Sequence, residues 1–390
     1  MPVRLRMILP RVEPAHIPVP DACPQCQSSH LTYSEEVAKP LRDTHYEAVT
    51  AHRYACEACG RGFRVYPAGV DHHHTSQRNR GLGIMLYLLG LSYGATSLAL
   101  EALDCYLAKS TVYQAVQQAA ENVPGLMAAR IRCLEGLETP AMGADVTSVK
   151  VRGEWVQLGL TVDDVTGLVL TLDALEGEDA ETLQEWIAPV AEAVGAELLV
   201  TDDADAFKGV ADALDLEHQV CISHVTRNTQ ALAEEMLEAL GQDADGSLCA
   251  SGVTPEQAVG DLRRIGECIR TRDPGMVDEL EEIHLHYKAA SPPSPGERAT
   301  LAYRMRMLTL DRWEMWPRLT RYRTWEGAKG ERVDGTNNAC ERAIGWWIKE
   351  RYRTMRGYKR KRSALNVSRL IIFCGNRLKF GGVDLGELFA

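Results

Sequence analysis

The chain has 390 residues, 45% of them hydrophobic and a quarter charged, with a net charge of −11. That length is enough for two or three domains around globular cores, and no apolar run approaches the roughly 20 residues of a membrane helix, so a spanning segment and a membrane partner are excluded. Net acidity alone argues against a nucleic-acid partner, but the charge is uneven: residues 138–220 hold nineteen Asp/Glu against three Lys/Arg, and residues 341–380 hold twelve Lys/Arg against two Glu. Such asymmetry suits an acidic metal site beside a basic binding surface, or an acidic soluble domain with one basic helix on its face.

The N-terminus, MPVRLRMILPRVEP, is interrupted by Pro10 and Pro14, and no secretory cleavage pattern follows. The protein therefore reads as cytosolic. Its eleven cysteines read as thiols and metal ligands rather than disulfides. Cys23-Pro24-Gln25-Cys26 and Cys56-Glu57-Ala58-Cys59 are two Cys-x-x-Cys knuckles about thirty residues apart. Each places two thiolates about 2.3 Å from one ion, which predicts a tetrahedral Zn²⁺ site. Leu31–Tyr33, His52–Tyr54 and Phe63–Tyr66 have strand character, which completes a zinc-ribbon pattern over 1–70. His72, His73 and His74 are expected to cap the linker to the next helix rather than to ligate a metal.

Residues 71–135 read as helical. Gln77–Gly90 and Ala95–Leu103 precede a turn at Asp104–Lys109, and Ser110 is placed to cap a third helix, Thr111–Asn122. This is the layout of a helix-turn-helix, whose last helix would present Lys109, Thr111, Tyr113, Gln114 and Gln117 to the major groove. An ordinary helical hairpin has the same pattern.

From 136 to 226 the texture is mixed. Gly143–Val151, Trp155–Asp163, Leu168–Leu172, Glu197–Thr201 and Gln219–Ile222 read as strands; Asp179–Val194 and Ala206–Leu214 read as helices. Asp145 lies in the first strand and Asp202 just after the fourth, with Asp203 and Asp205 as neighbouring candidates. Residues 227–330 read as an all-helical insertion: Arg227–Leu240, Pro255–Arg270, Met276–Ala289 and Pro295–Leu310, with Gly241–Ser251 as a surface loop. Trp313, Trp316 and Trp325 read as core anchors, with stacking on an unpaired base as the alternative. Residues 331–390 carry Thr336-Asn337-Asn338-Ala339-Cys340-Glu341-Arg342 and then the basic stretch. A lone carboxylate among cations is sensible if Glu341 holds a metal while its neighbours hold a phosphate backbone.

Several of these stretches resemble one family. Asp145-x-Thr147, with Lys150-x-Arg152-Gly153 after it, is similar to the first-acid strand of bacterial insertion-sequence transposases with an RNase H-like fold. Val200-Thr201-Asp202-Asp203 and the following Cys221-x-x-His224 resemble the second-acid region of Mutator-like and related families. Thr336-Asn337-Asn338-x-x-Glu341-Arg342, with Lys349, Arg353 and Arg356-Gly357, resembles the third-acid helix. The resemblance covers roughly 76–380.

It implies an α+β protein: zinc ribbon, helix-turn-helix, and an RNase H-like core interrupted by the helical insertion. It also implies Asp145, Asp202 and Glu341 as a DDE triad holding two Mg²⁺ (or Mn²⁺) ions about 3.5–4 Å apart. The expected activity is cleavage and strand transfer at the ends of a transposon. The expected partners are double-stranded DNA, both transposon ends and target, and at least a second copy of the chain, in the nucleoid of a bacterial cytoplasm. Arg342, Lys349, Arg351, Arg353, Arg356, Lys359 and Arg360 would hold flanking DNA. Two departures stand: Asp-Asp replaces the usual Asp-Gly, leaving Asp203 as the competing ligand, and no subgroup signature is present. Cys221 and His224 have the spacing of half a zinc site; His224 orients a phosphate or water, or both are simply core residues. A nuclease of the same fold and a domesticated, non-catalytic DNA binder are the alternative functions.

Overall fold

The computed structural model describes residues 6–133, 139–240, 246–354, 358–379 and 381–389. The chain divides into two compact units: Met1–Cys133 with Ser148–Leu158 and Ile344–Ala390, and Leu134–Thr147 with Gly159–Ala343.

The first unit begins with an antiparallel sheet of Leu31–Pro40, Ala48–Cys56 and Gly62–Val65. Tyr33 lies edge-on to Tyr54, which stacks on Phe63, so cross-strand aromatic pairs fix the register. The first two strands run well beyond the triplets legible in the sequence. Helices Gln77–Leu88 and Tyr93–Glu101 are capped by Ser76 and Ser92, whose hydroxyls accept the N–H of Asn79 and Ala95. The third helix, Lys109–Cys133, starts earlier than expected. The Ala108 carbonyl accepts from Thr111 and Val112, so Ser110 lies inside the first turn and is not the cap. The cause is the preceding turn: Cys105 and Leu107 are buried, and their carbonyls take the Asn79 amide and the Ser97 hydroxyl.

The C-terminal part of this unit also departs from a single basic helix. Ile344–Lys349 is wound as a π-helix, Glu350–Thr354 follows, and a separate helix spans Lys361–Lys379. Tyr358 pairs with Val151 between the last two. Bringing its ring into the interior ends one helix before the next begins. Val383–Asp384 pairs in parallel with Met7–Ile8.

A five-stranded sheet has the order Val169–Leu175, Glu154–Asp163, Ala141–Val151, Leu198–Thr201, Glu217–Val220; its hairpin tip, within Ser148–Leu158, belongs to the first unit and the rest to the second. The first two strands in sequence join through Arg152 and Gly153, both at positive φ. That is the two-residue turn of an antiparallel hairpin. The Ala141, Leu198 and Glu217 strands run parallel, so the sheet is mixed. The last strand stops at Val220 rather than Ile222, because Cys221 starts a helix: its carbonyl accepts from His224 and Val225.

Side-chain alternation sorts the sheet into two faces. Met142, Ala144 and Leu199 pack with Leu183, Trp186, Ile187, Phe207 and Val210 of helices Ala180–Val194 and Asp205–Ala213. Ala141, Leu198 and Val200 point the other way, onto Trp325 and Val333.

Helices Ile222–Leu240, Pro255–Thr271, Met276–Tyr287 and Leu301–Leu319 share a separate core of residues such as Ile265, Leu280, Ile283 and Met305. The last helix is capped by Thr300 and runs to Leu319, well past the expected 295–310. Ser247–Ala250 forms a short helix within the stretch expected to be loop. Trp316 and Trp325 are buried and Trp313 packs against the same helical core as Trp316, so these rings anchor structure and are not a stacking platform. No helix among the described residues is long and apolar enough to cross a membrane.

Candidate active site

Two of the acidic candidates are placed by strand register. Gly143 pairs with Val200 in parallel, so Asp145 and Asp202 lie level, two residues beyond that pair on adjacent strands. By alternation, Asp145 shares the face of Ala141 and Gly143, and Asp202 that of Leu198 and Val200. This is the face opposite the two packing helices. Asp145 accepts the N–H of Val146, and Asp202 accepts that of Ala204.

The helix Asn338–Ala343, which carries Glu341, packs on that same face. A Cβ at Gly143 would sit 3.0 Å from the Cys340 sulfur, 3.3 Å from Asn337 Oδ1 and 2.9 Å from a Val162 methyl. Only a glycine lets the helix approach this closely. Asn337, fully buried, is the anchor. Its amide donates to the Ala144 carbonyl, next to Asp145, its backbone N–H donates to the Cys221 sulfur, and its carbonyl starts the turn by accepting from Glu341. Burial, with Asp145 beside it, holds the Cys340 thiol well above its ordinary range, so that sulfur is packing and not a nucleophile.

The three carboxylates are not equally gathered. Among the described residues, three sets of ligand atoms lie within 4.8 Å of one another: the four ribbon cysteines, Asp71 with His72 and His73, and Cys221 with His224 and Glu341. Asp145, Asp202 and Glu341 do not form such a set. Glu341 is 42% exposed and stands 3.7 Å from His224 Nδ1.

Asp203 is occupied elsewhere. It pairs with Lys208 at 3.2 Å and Arg312 at 3.7 Å, and accepts from Asn228. Asp202 makes no ion pair among the described residues, and its backbone is held by a chain of hydrogen bonds that runs inward from the surface. Asp212 pairs with Arg318 through two 2.8 Å bonds. Arg318 donates to His218 Nδ1, leaving Nε2 to donate to Thr201 Oγ1, which donates to the Asp202 carbonyl. Burial, helped by Arg318, draws His218 down to about 3, so it is a neutral fixture.

Asp164 is a residue the sequence reading missed. Burial, with Asp334 nearby, pushes its carboxyl up to about 7, and Arg342 opposes the shift. Asp164 sits at the end of the second strand, where its N–H donates to the Ala141 carbonyl. Among nineteen acids in that segment nothing in the sequence distinguished it; the half-burial that does is a tertiary effect.

In the ribbon, the two knuckles are built alike. The N–H of Cys23 donates to the Ser28 carbonyl and that of Cys56 to the Arg61 carbonyl. Gln27 and Gly60 both take positive φ. Cys23 and Cys59 sulfurs are 3.8 Å apart, and those of Cys26 and Cys56 are 3.5 Å apart. The edge of a tetrahedron with bonds of about 2.3 Å is roughly 3.8 Å, so the four thiols fit Zn²⁺. The Cys59 backbone N–H draws Cys56 down to about 7. Cys26, against the pull of the Ser28 N–H, rises to about 12 through its bond to Cys56. The Asp71 set is a poorer candidate: Asp71 pairs with Arg80 and accepts the His73 N–H.

Of the groove-facing candidates, Lys109 and Gln114 are exposed and Thr111, Tyr113 and Gln117 half-buried; Tyr113 stands edge-on to Tyr93. Arg342, Lys349, Arg353, Lys359 and Arg360 are exposed, and Arg356 lies outside the described residues. Arg351 corrects the expectation. It is 5% exposed, lies 4.2 Å over the Tyr87 ring and donates to the Leu91 carbonyl, so it stabilises the fold rather than meeting DNA.

No protein-family model and no curated protein matches the chain. Among solved structures it is similar to the HTLV-2 integrase catalytic core domain in complex with magnesium (trimeric form). The identity is 17% over 33% of this chain and 84% of that one, with a TM-score of 0.20. It is also similar to the catalytic core domain of BIV integrase, at 12% identity over 50% of this chain and 90% of that one, with a TM-score of 0.19.

Proposed function

We propose that the protein is a DNA transposase with an RNase H-like core, and that Asp145, Asp202 and Glu341 are its metal-holding carboxylates. The observation that carries this reading is the pairing of Gly143 with Val200, together with the seating of the Glu341 helix against Gly143. On this reading three acids far apart in sequence would serve one sheet face, two from strand ends and one from the helix seated against it. An oxygen-only donor set of this kind fits Mg²⁺ or Mn²⁺. When bound, such ions activate an attacking water or 3′-hydroxyl and stabilise the leaving oxygen of a phosphodiester.

The chain's own residues supply the rest. Asn337 orients the helix of Glu341, while His218 and Thr201 fix the backbone at Asp202. Asp203 is the poorer second ligand, because Lys208 and Arg312 already neutralise it. Exposed Arg342, Lys349 and Arg353 would hold phosphates. The four-cysteine ribbon, holding Zn²⁺, and the three helices that follow would bind the transposon ends, with Lys109 and Gln114 best placed to reach base edges. Two ends in one complex imply a dimer or larger assembly. The test is incubation of DNA carrying the element's own ends with Mg²⁺, scoring nicked and joined products separately. Joined product supports the transposase. Nicking without joining leaves a nuclease of the same fold, and end binding with neither leaves a DNA binder.

A further inference from the structure

We propose that Cys221, His224 and Glu341 form a second zinc site, distinct in chemistry from the carboxylate set and sharing one ligand with it. The regulatory part of this inference rests on the function proposed above; the site itself does not. The cysteine starts the helix Ile222–Leu240 and the histidine follows three residues later, so both side chains project from one side of its first turn. Glu341 reaches them from the helix seated on Gly143. All three ligand atoms lie within 4.8 Å of one another, with His224 Nδ1 and the Glu341 oxygen 3.7 Å apart. Neighbouring ligands of tetrahedral zinc stand about 3.3–3.8 Å apart, so closure needs only small rotations.

Two further features point to a ligand. The Nδ1 atom of His224 is buried without a hydrogen bond, an unsatisfied state that a bound cation relieves. The sulfur of Cys221 accepts the Asn337 N–H at 3.3 Å, as the Cys23 sulfur in the ribbon accepts the Gln25 N–H at 3.4 Å. Each sulfur thus accepts one backbone N–H, from two residues on in the ribbon and from a distant segment here. A sulfur, an imidazole nitrogen and one carboxylate select Zn²⁺ over Mg²⁺, whereas three carboxylates do the reverse. Half-exposed Glu341 leaves the fourth position open to water. Binding releases the thiol proton to solvent. Zinc here draws Glu341 away from Asp145 and Asp202, so Zn²⁺ inhibits Mg²⁺-dependent cleavage.

The test is the metal content of the full-length chain, purified with zinc and dialysed into metal-free buffer. Wild type is expected to hold two zinc ions per chain, and Cys221→Ser and His224→Gln one each. Because Cys221 is buried, its variant can misfold; the retained ribbon zinc and the milder His224→Gln keep the reading clear. One zinc in wild type, or two in both variants, overturns the site. Cobalt in place of zinc adds a second readout, since Cys221→Ser removes one thiolate-to-cobalt absorption contribution and leaves that of the ribbon. The two proposals fail separately: cleavage by Glu341→Gln equal to wild type rejects the carboxylate assignment, and the wild-type zinc count does not depend on that result.

Discussion

Gly143→Ala tests the seating of the Glu341 helix most sharply. The new methyl would lie 2.9 Å from Val162 Cγ2, 3.0 Å from Cys340 Sγ and 3.3 Å from Asn337 Oδ1. Ordinary carbon contacts begin near 3.4 Å, and all three neighbours are buried, so helix and strand must part by several tenths of an ångström. Overpacking of this kind costs about 1–3 kcal/mol, which is roughly 2–10 °C of Tm for a domain of this size. Activity should suffer more than stability, because the displaced element carries Glu341. A loss of about tenfold to a hundredfold in Mg²⁺-dependent nicking is expected. A double-mutant cycle completes the argument. Cys340→Ala removes the sulfur the methyl strikes, so it should cost less in the Gly143→Ala background than in wild type, by at least about 0.5 kcal/mol. Wild-type melting and nicking by Gly143→Ala, or strict additivity with Cys340→Ala, would refute the contact as the positioning device.

Three other outcomes follow from the same geometry. Asp202→Asn should abolish nicking, while Asp203→Asn, which breaks pairs with Lys208 and Arg312, should retain it and lose about 1–2 kcal/mol in urea unfolding; the reverse pattern makes Asp203 the ligand. His218 is neutral in the fold and charged in the unfolded chain below about pH 6.5. Its contribution is therefore complete above pH 6.5 and is lost as pH falls toward 3. Between pH 7 and 5, wild type should lose about 2 kcal/mol more than His218→Gln, and equal losses would contradict a buried neutral imidazole. Zinc chelation or Cys56→Ser should make 23–65 protease-sensitive, since so small a sheet depends on its metal; an unchanged digestion pattern would show that the sheet stands without it.

Local signals carried much of the fold. The two Cys-x-x-Cys knuckles were legible because each is one turn with fixed spacing. The core strands were legible because alternation and β-branched residues mark them within a few positions. Asp145 and Asp202 stood out as candidates because one lies within the first strand and the other just after the fourth, and because the stretches around them resemble one family's motifs. What escaped depended on contacts between distant segments. Gly143, Asn337 and Cys340 matter only because nearly two hundred residues of chain return to one strand. Ser110 looked like a cap until the burial of Cys105 and Leu107 set the turn, and Arg351 read as a DNA contact until Tyr87 came under it. The helix Leu301–Leu319 passes the expected stop because Met315, Trp316 and Leu319 are buried, which outweighs Pro317 near its end.

The central claim is that Glu341 completes a metal-holding set. The direct measurement is Mg²⁺- or Mn²⁺-dependent cleavage of DNA carrying the element's ends by wild type and by Glu341→Gln, with end binding measured alongside. The substitution keeps the side chain's shape and removes the charge that holds a metal. Loss of cleavage with end binding intact is the expected result. Equal cleavage by the two proteins would contradict the account and leave the segment after Asn337 as a basic surface for DNA alone.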